Sequence, residues 1–145
     1  MKDSSGLDRR SGTGQGSGAQ QVLLVGDRDP FAREALRRAL GAMFALVFVE
    51  RGEEVLEEAR RLRPAVVVLE ALLPGMDGFQ VCLQLKRDPH TRCLPVLFLT
   101  LLSARERAAQ VGADAFLMKP ARREALLQTL QNLLTQRPEP KEGSK

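Results

Sequence analysis

Residues 66–69 read Val-Val-Val-Leu, and Glu70 follows directly. An uncharged run with no polar alternation has no face for water, which is the pattern of a central parallel strand covered by helices on both sides. Glu70 then lies at the carboxyl end of that strand, where ligands and chemistry collect in open α/β sheets. Pro74-Gly75 and Asp77-Gly78 turn the chain into the next helix.

The rest of the chain can be placed around this strand. Val22 to Val25 reads as a first strand ending in Gly26-Asp27-Arg28-Asp29-Pro30, with Asp29 and Pro30 as cap and first residue of a helix to about Leu40 that Gly41 stops. Phe44 to Val49 is a second strand. Gly52 to Arg63 is a second helix with Val55, Ala59 and Leu62 inward. Gly78 to Lys86 is a third helix expected to bury Phe79, Cys82 and Leu83. Pro95 to Thr100 is a fourth strand, and Ser103-Ala104-Arg105-Glu106 fits a capping box for a short helix ending at Val111. Ala115 to Met118 is a fifth strand, and Arg122 to Gln136 a last helix with Leu126, Leu127, Leu130, Leu133 and Leu134 as its stripe. Core packing is the role expected of any leucine in that stripe, and Leu127 is the member to inspect as an exposed dimer contact.

Five strands alternating with five helices imply an α/β fold with a doubly wound parallel sheet. Right-handed crossovers favour strand order 2-1-3-4-5. That order brings Asp27, Arg28, Glu70, Thr100 and Lys119 to one pocket. Residues 22–136 form the domain, and residues 1–21 and 137–145 read as a flexible leader and tail.

The formal charge of the 145-residue chain is +4, but the two ends hold six of the 22 basic residues and four of the 18 acidic ones. With +2 left on the domain, and no basic stripe interleaved with aromatics, nucleic acid is not an expected partner. No run approaches the ~18 apolar residues that span a bilayer, so no membrane partner is expected and the cytoplasm is the simplest location. Cys82, Cys93 and His90 lack metal-ligand spacing, which argues against a His or Cys catalytic centre.

Several segments together resemble a response-regulator receiver domain over residues 22–136: VLLV with an acidic turn and Pro30, LPGMDGF at 73–79, KRDPHTRCLPVLFLT at 86–100 and GADAFLMKP at 112–120. The resemblance implies the flavodoxin-like receiver fold and a two-component signalling module instead of an enzyme. In that family an acidic pair helps hold Mg²⁺, an aspartate ending the third strand accepts a phosphoryl group from a histidine kinase, and a Thr or Ser and a Lys contact it. An aromatic on the fifth strand reports to the output face. Carried over by position, Asp27 and Arg28 stand at the acidic pair and Glu70 at the acceptor. Thr100, Lys119 and Phe116 stand at the remaining three positions.

Arg28 puts a permanent cation where a divalent metal needs an oxygen ligand, so no metal or other cofactor is expected. Glu70 displaces the acceptor oxygen by a methylene in a reaction that depends on positioning. Leu101, beside Thr100, is expected to obstruct the site, and the loop and fourth helix after Thr100 to be short. Asp27, Arg28, Glu70 and Lys119 sum to zero charge, which points to Arg28, alone or with Lys119, pairing with Glu70. The resulting expectation is a phosphorylation-independent pseudo-receiver. It would meet a protein partner through the fourth helix, fifth strand and last helix, and could form a homodimer. The alternatives are a phosphoacceptor using another carboxylate, Asp27 or Asp77, and a small-molecule sensor.

Overall fold

The computed structural model describes residues 20–136. Among them the strands are β1 (Gln21–Gly26), β2 (Phe44–Val49), β3 (Val66–Leu69), β4 (Val96–Thr100) and β5 (Ala115–Met118). The helices are α1 (Pro30–Leu40), α2 (Gly52–Leu62), α3 (Gly78–Arg87), α4 (Arg105–Gln110) and α5 (Arg123–Gln136). All strand pairs are parallel, in the order β2-β1-β3-β4-β5. The expected sheet is therefore the observed one. The leader boundary shifts slightly, because Gln21 already pairs with Phe44; the remaining expectations for the two ends lie outside the described residues.

Period-two alternation divides the central strands between two cores. Leu24, Val67, Leu69, Val96 and Phe98 face one side with Val55, Ala59, Cys82 and Leu85 from α2 and α3. Leu23, Val25, Val66, Val68, Leu97 and Leu99 face the other with Leu36, Leu40, Leu126, Leu130 and Leu133 from α1 and α5. Both sheet faces are apolar because both are covered, which is why the strands read as unbroken hydrophobic runs.

Local chemistry sets the helix ends. Asp29 accepts the Phe31 amide at 3.0 Å with Pro30 at the first turn, and Asp77 accepts the Gln80 amide at 2.9 Å. Gly52 begins α2 against the β3–α3 loop, where a Cβ would stand 1.9 Å from the Met76 carbonyl oxygen. Only glycine fits that approach.

Two local expectations are corrected, and core packing is found for a third residue. Leu83 is half-buried, and Val81 and Leu85 join Phe79 and Cys82 on the buried face of α3. Leu85 follows Val81 by four residues and Cys82 by three, the spacing that keeps one helical face together. The Ser103 capping box does not form: α4 starts at Arg105 with Ala104 as its cap. Upstream backbone is already committed, since the Leu102 amide donates to Thr100 Oγ1 and the Ala104 amide to the Leu102 carbonyl. On α5, Leu127 packs half-buried against the core and offers no exposed patch.

Cys82 is fully buried, its thiol donating to the Val111 carbonyl, and burial pushes its pKa up to about 12. A thiol so protonated is a poor nucleophile. Native-state maleimide labelling is expected to spare Cys82 and to modify it at the rate of a free thiol only after denaturation.

Candidate functional site

The carboxyl ends of β1, β3, β4 and β5 converge on one cleft because parallel strands all end on the same side of the sheet. Asp27 follows β1, Glu70 follows β3, Thr100 ends β4 and Lys119 follows β5. Lys119 Nζ lies 2.7 Å from Asp27 Oδ2 and 2.8 Å from Glu70 Oε1, so one ammonium bridges both carboxylates. Glu70 Oε2 accepts the Thr100 hydroxyl and, at 3.0 Å, the Leu72 amide. Asp27 Oδ1 accepts the Asp29 amide at 3.0 Å. Asp27, Glu70 and Thr100 are all buried.

Electrostatics follow from these contacts. Burial opposes ionisation of Glu70, yet the Lys119 and Thr100 hydrogen bonds, the Leu72 amide and the Lys119 charge together hold its carboxyl below the ordinary value. Burial likewise opposes the Lys119 charge, and its bonds to Asp27 and Glu70 outweigh that, raising its pKa. The cluster is paired and internally satisfied. Thr100→Val keeps the shape and removes a donor from a buried carboxylate; the expected loss is about 1–3 kcal/mol in urea unfolding.

The expected Arg28–Glu70 pair is absent. Arg28 is exposed and makes no ion pair or side-chain hydrogen bond among the described residues, and Lys119 alone supplies the cation. Neighbouring positions of an extended segment point to opposite sides, so the inward anchoring of Asp27 turns Arg28 outward. Exposure also avoids the desolvation cost of a buried guanidinium. Leu101 is a second correction. It is exposed on the lip of a cleft of about 480 Å³ together with Arg28, Leu72 and Asp77, and does not plug it.

Phe116 is not part of the carboxylate cluster. It pairs in register with Phe98, lies buried in the α2–α3 side core, and has the Arg105 guanidinium 5.0 Å from its ring centroid. The short α4 expected from the sequence has six residues. The Asp29 and Leu72 amides, which complete the carboxylates' bonding, escaped sequence reading because any residue type could supply them.

Receiver domains are associated with Mg²⁺, and the residues here do not fit it. Every carboxylate oxygen of Asp27 and Glu70 already has a donor, and a cationic side chain stands at the second acidic position. No group of three or more Asp, Glu, His or Cys among the described residues is arranged to hold a metal.

Comparison with known proteins agrees with this geometry of strands and loops. The response regulator receiver domain profile matches residues 22–131. The response regulator MprA of a Mycobacterium species is 38% identical over 125 residues, covering 83% of this chain and 53% of that protein. PleD of Caulobacter vibrioides is 34% identical over 103 residues, 69% of this chain and 23% of that protein. The chain thus spans about half the length of MprA and less of PleD. Among solved structures, a Chloroflexus aurantiacus response regulator superposes with a TM-score of 0.77 at 31% identity, covering 81% of this chain and all of that one. The receiver domain of the sensor histidine kinase PA1611 from Pseudomonas aeruginosa, which has magnesium in its active-site cleft, gives 0.71 at 28% identity over 81% of this chain and 99% of that one. On its fold, its profile match and these relatives, the chain belongs to the response regulator receiver domain family.

Proposed function

We propose that this receiver domain works without phosphorylation, as a protein-binding module in bacterial signal transduction whose switch site is held in one state by its own side chains. One observation carries the reading: Lys119, itself half-buried, joins the buried Asp27 and Glu70 in a single ion-pair cluster. Lys119 supplies beside Asp27 and Glu70 the positive charge that Mg²⁺ would otherwise bring, and Arg28 repels a divalent cation from the adjacent position. Lys119, Thr100 and the Leu72 amide fix the orientation of the glutamate carboxylate, which disfavours its realignment for in-line attack. Asp27 is occupied by Lys119 and the Asp29 amide, and Asp77 caps α3, which disfavours either as a substitute acceptor.

Output in this reading passes through a preset surface of α4, β5 and α5. Regulation then comes from the abundance of the module and its partner. No helix among the described residues is long and apolar enough to cross a membrane, which suits a cytoplasmic role. The test is an amide NMR titration with Mg²⁺ followed by beryllofluoride, a phosphoryl mimic. Amides of Asp27, Glu70, Thr100 and Lys119 are expected to stay in place. Saturable shifts that spread to Phe116 would instead establish a working phosphoacceptor.

A further inference from the structure

α4 has little of its own to hold it in place. It is six residues long, Ala104 gives it no side-chain cap, and Ala108 is its one buried residue. A helix of that length does not persist on its own hydrogen bonds, so its position depends on contacts with the rest of the domain. Half-buried Leu102, Ala104 and Val111 pack beside Ala108, and the Cys82 thiol holds the Val111 carbonyl. The long side chains of the helix are all polar.

Two of those side chains meet aromatic rings. Phe79 of α3 stacks on Phe98 of β4 with centroids 5.2 Å apart, and Phe98 pairs in register with Phe116 of β5. The three buried rings belong to one core and form a row across α3, β4 and β5. The Arg107 guanidinium stands 4.2 Å from the Phe79 centroid, and the Arg105 guanidinium 5.0 Å from that of Phe116. Residues two apart on a helix point to different sides, so α4 straddles the row with a cation over each end. Neither arginine has an ion pair or side-chain hydrogen bond among the described residues. Their interaction with the domain is the ring contact.

We propose that Arg105 and Arg107 are positioning residues for the output surface: their guanidiniums latch α4 onto the row of Phe79, Phe98 and Phe116, and without them α4 opens while the sheet stays folded. The proposal rests on the reading that α4 belongs to that surface. None of the latch contacts involves Asp27, Glu70 or Lys119. A domain with a closed cleft therefore keeps a separate opening equilibrium at α4, set by two cations and two ring faces.

Native-state amide exchange followed by NMR tests this. The Ala108, Val111 and Ala113 amides donate to the Ala104, Arg107 and Ala108 carbonyls and report on α4, whereas the Val67 amide, bonded to the Pro95 carbonyl, reports on the sheet. Methionine is close to arginine in helix propensity and keeps an unbranched stem, and both positions are exposed. Arg105→Met combined with Arg107→Met thus removes the cations and leaves the domain folded. Each contact corresponds to a change of about two- to thirtyfold in the opening equilibrium, so the pair is expected to speed α4 exchange about tenfold or more with Val67 unchanged. Arg105→Lys with Arg107→Lys keeps a cation for each ring and is expected to stay within about threefold of the natural chain. Arg107→Met is expected to lose most of its effect in a Phe79→Leu background, where no ring face remains to be uncovered. α4 amides unprotected in the natural chain, exchange unchanged by the methionine pair, equal acceleration by the lysine pair, or acceleration matched at Val67 overturns the proposal. The experiment contains neither Mg²⁺ nor beryllofluoride, so failure of the closed-site reading appears separately, in the titration with those ions.

Discussion

Lys119→Met is expected to cost about 3–5 kcal/mol of folding stability, the penalty for breaking a buried ion pair from one side. The substitution keeps the stem and removes the charge. Asp27 and Glu70, both buried, would then face each other without a counter-ion. Urea unfolding at pH 7 measures the loss. Asp27→Asn with Glu70→Gln in the Lys119→Met background should recover much of it, because no uncompensated carboxylate remains.

The same variant should reverse the acid response. In the natural chain Glu70 titrates below its ordinary 4.5, so its contribution is complete above that value and is lost as pH falls through the lower folded-state pKa. Lys119 titrates above its ordinary 10.5, so its contribution is present below that value and disappears as pH rises through the higher folded-state pKa. The native cluster therefore contributes its full stability across the neutral range. With methionine at 119, Glu70 loses the hydrogen bond and charge that offset its burial, and gains a proton more readily when folded than when unfolded. Stability should then rise on acidification from pH 7, the opposite sign.

The second large effect is a gain. Arg28→Asp combined with Glu70→Asp changes the site's formal charge from zero to −2 and shortens the acceptor side chain by a methylene. Thr100 and Lys119 already stand at the cleft, and the strand ends that carry them are unchanged. The double variant is expected to show saturable Mg²⁺-dependent amide shifts and a beryllofluoride response larger than those of the natural chain. At a Mg²⁺ concentration a hundredfold above Kd, linkage supplies about 2.7 kcal/mol, a Tm rise of several degrees. Either single variant should give less, since Arg28→Asp leaves the long acceptor and Glu70→Asp leaves the guanidinium. A double variant indifferent to Mg²⁺ would place the defect outside these two positions.

What could be read from the residues divides along physical lines. The sheet was legible because its strands are buried on both faces, and an uncharged run such as Val66 to Leu69 has few other places to go. Asp29-Pro30 was legible because both residues favour the start of a helix for independent reasons. Ser103 misled because a capping pattern is a local preference, and here Thr100 Oγ1 and the Leu102 carbonyl had already taken the adjacent amides. At the site, charge summation counted two cations against two carboxylates but could not say which cation the carboxylates hold. Arg28 is adjacent in sequence to Asp27, whereas Lys119 is 92 residues away and closer in space. Direction of a side chain on a loop depends on what anchors its neighbours, and the anchors here are backbone amides that sequence does not distinguish.

Among the described residues the sheet ends at β2 in an edge. β2 is six uncharged residues, Phe44 to Val49, paired among those residues to β1 alone. Such a segment is a template on which further copies can polymerise. Over its Phe48 ring lie the Arg37 and Arg33 guanidiniums, at 4.7 and 5.6 Å, and Arg33 is held there by Glu50 at 2.9 Å. These arginines place charge beside a strand that has none of its own, an arrangement that discourages edge-to-edge pairing. Replacing both with methionine is expected to raise the domain's tendency to associate at high concentration, read by light scattering.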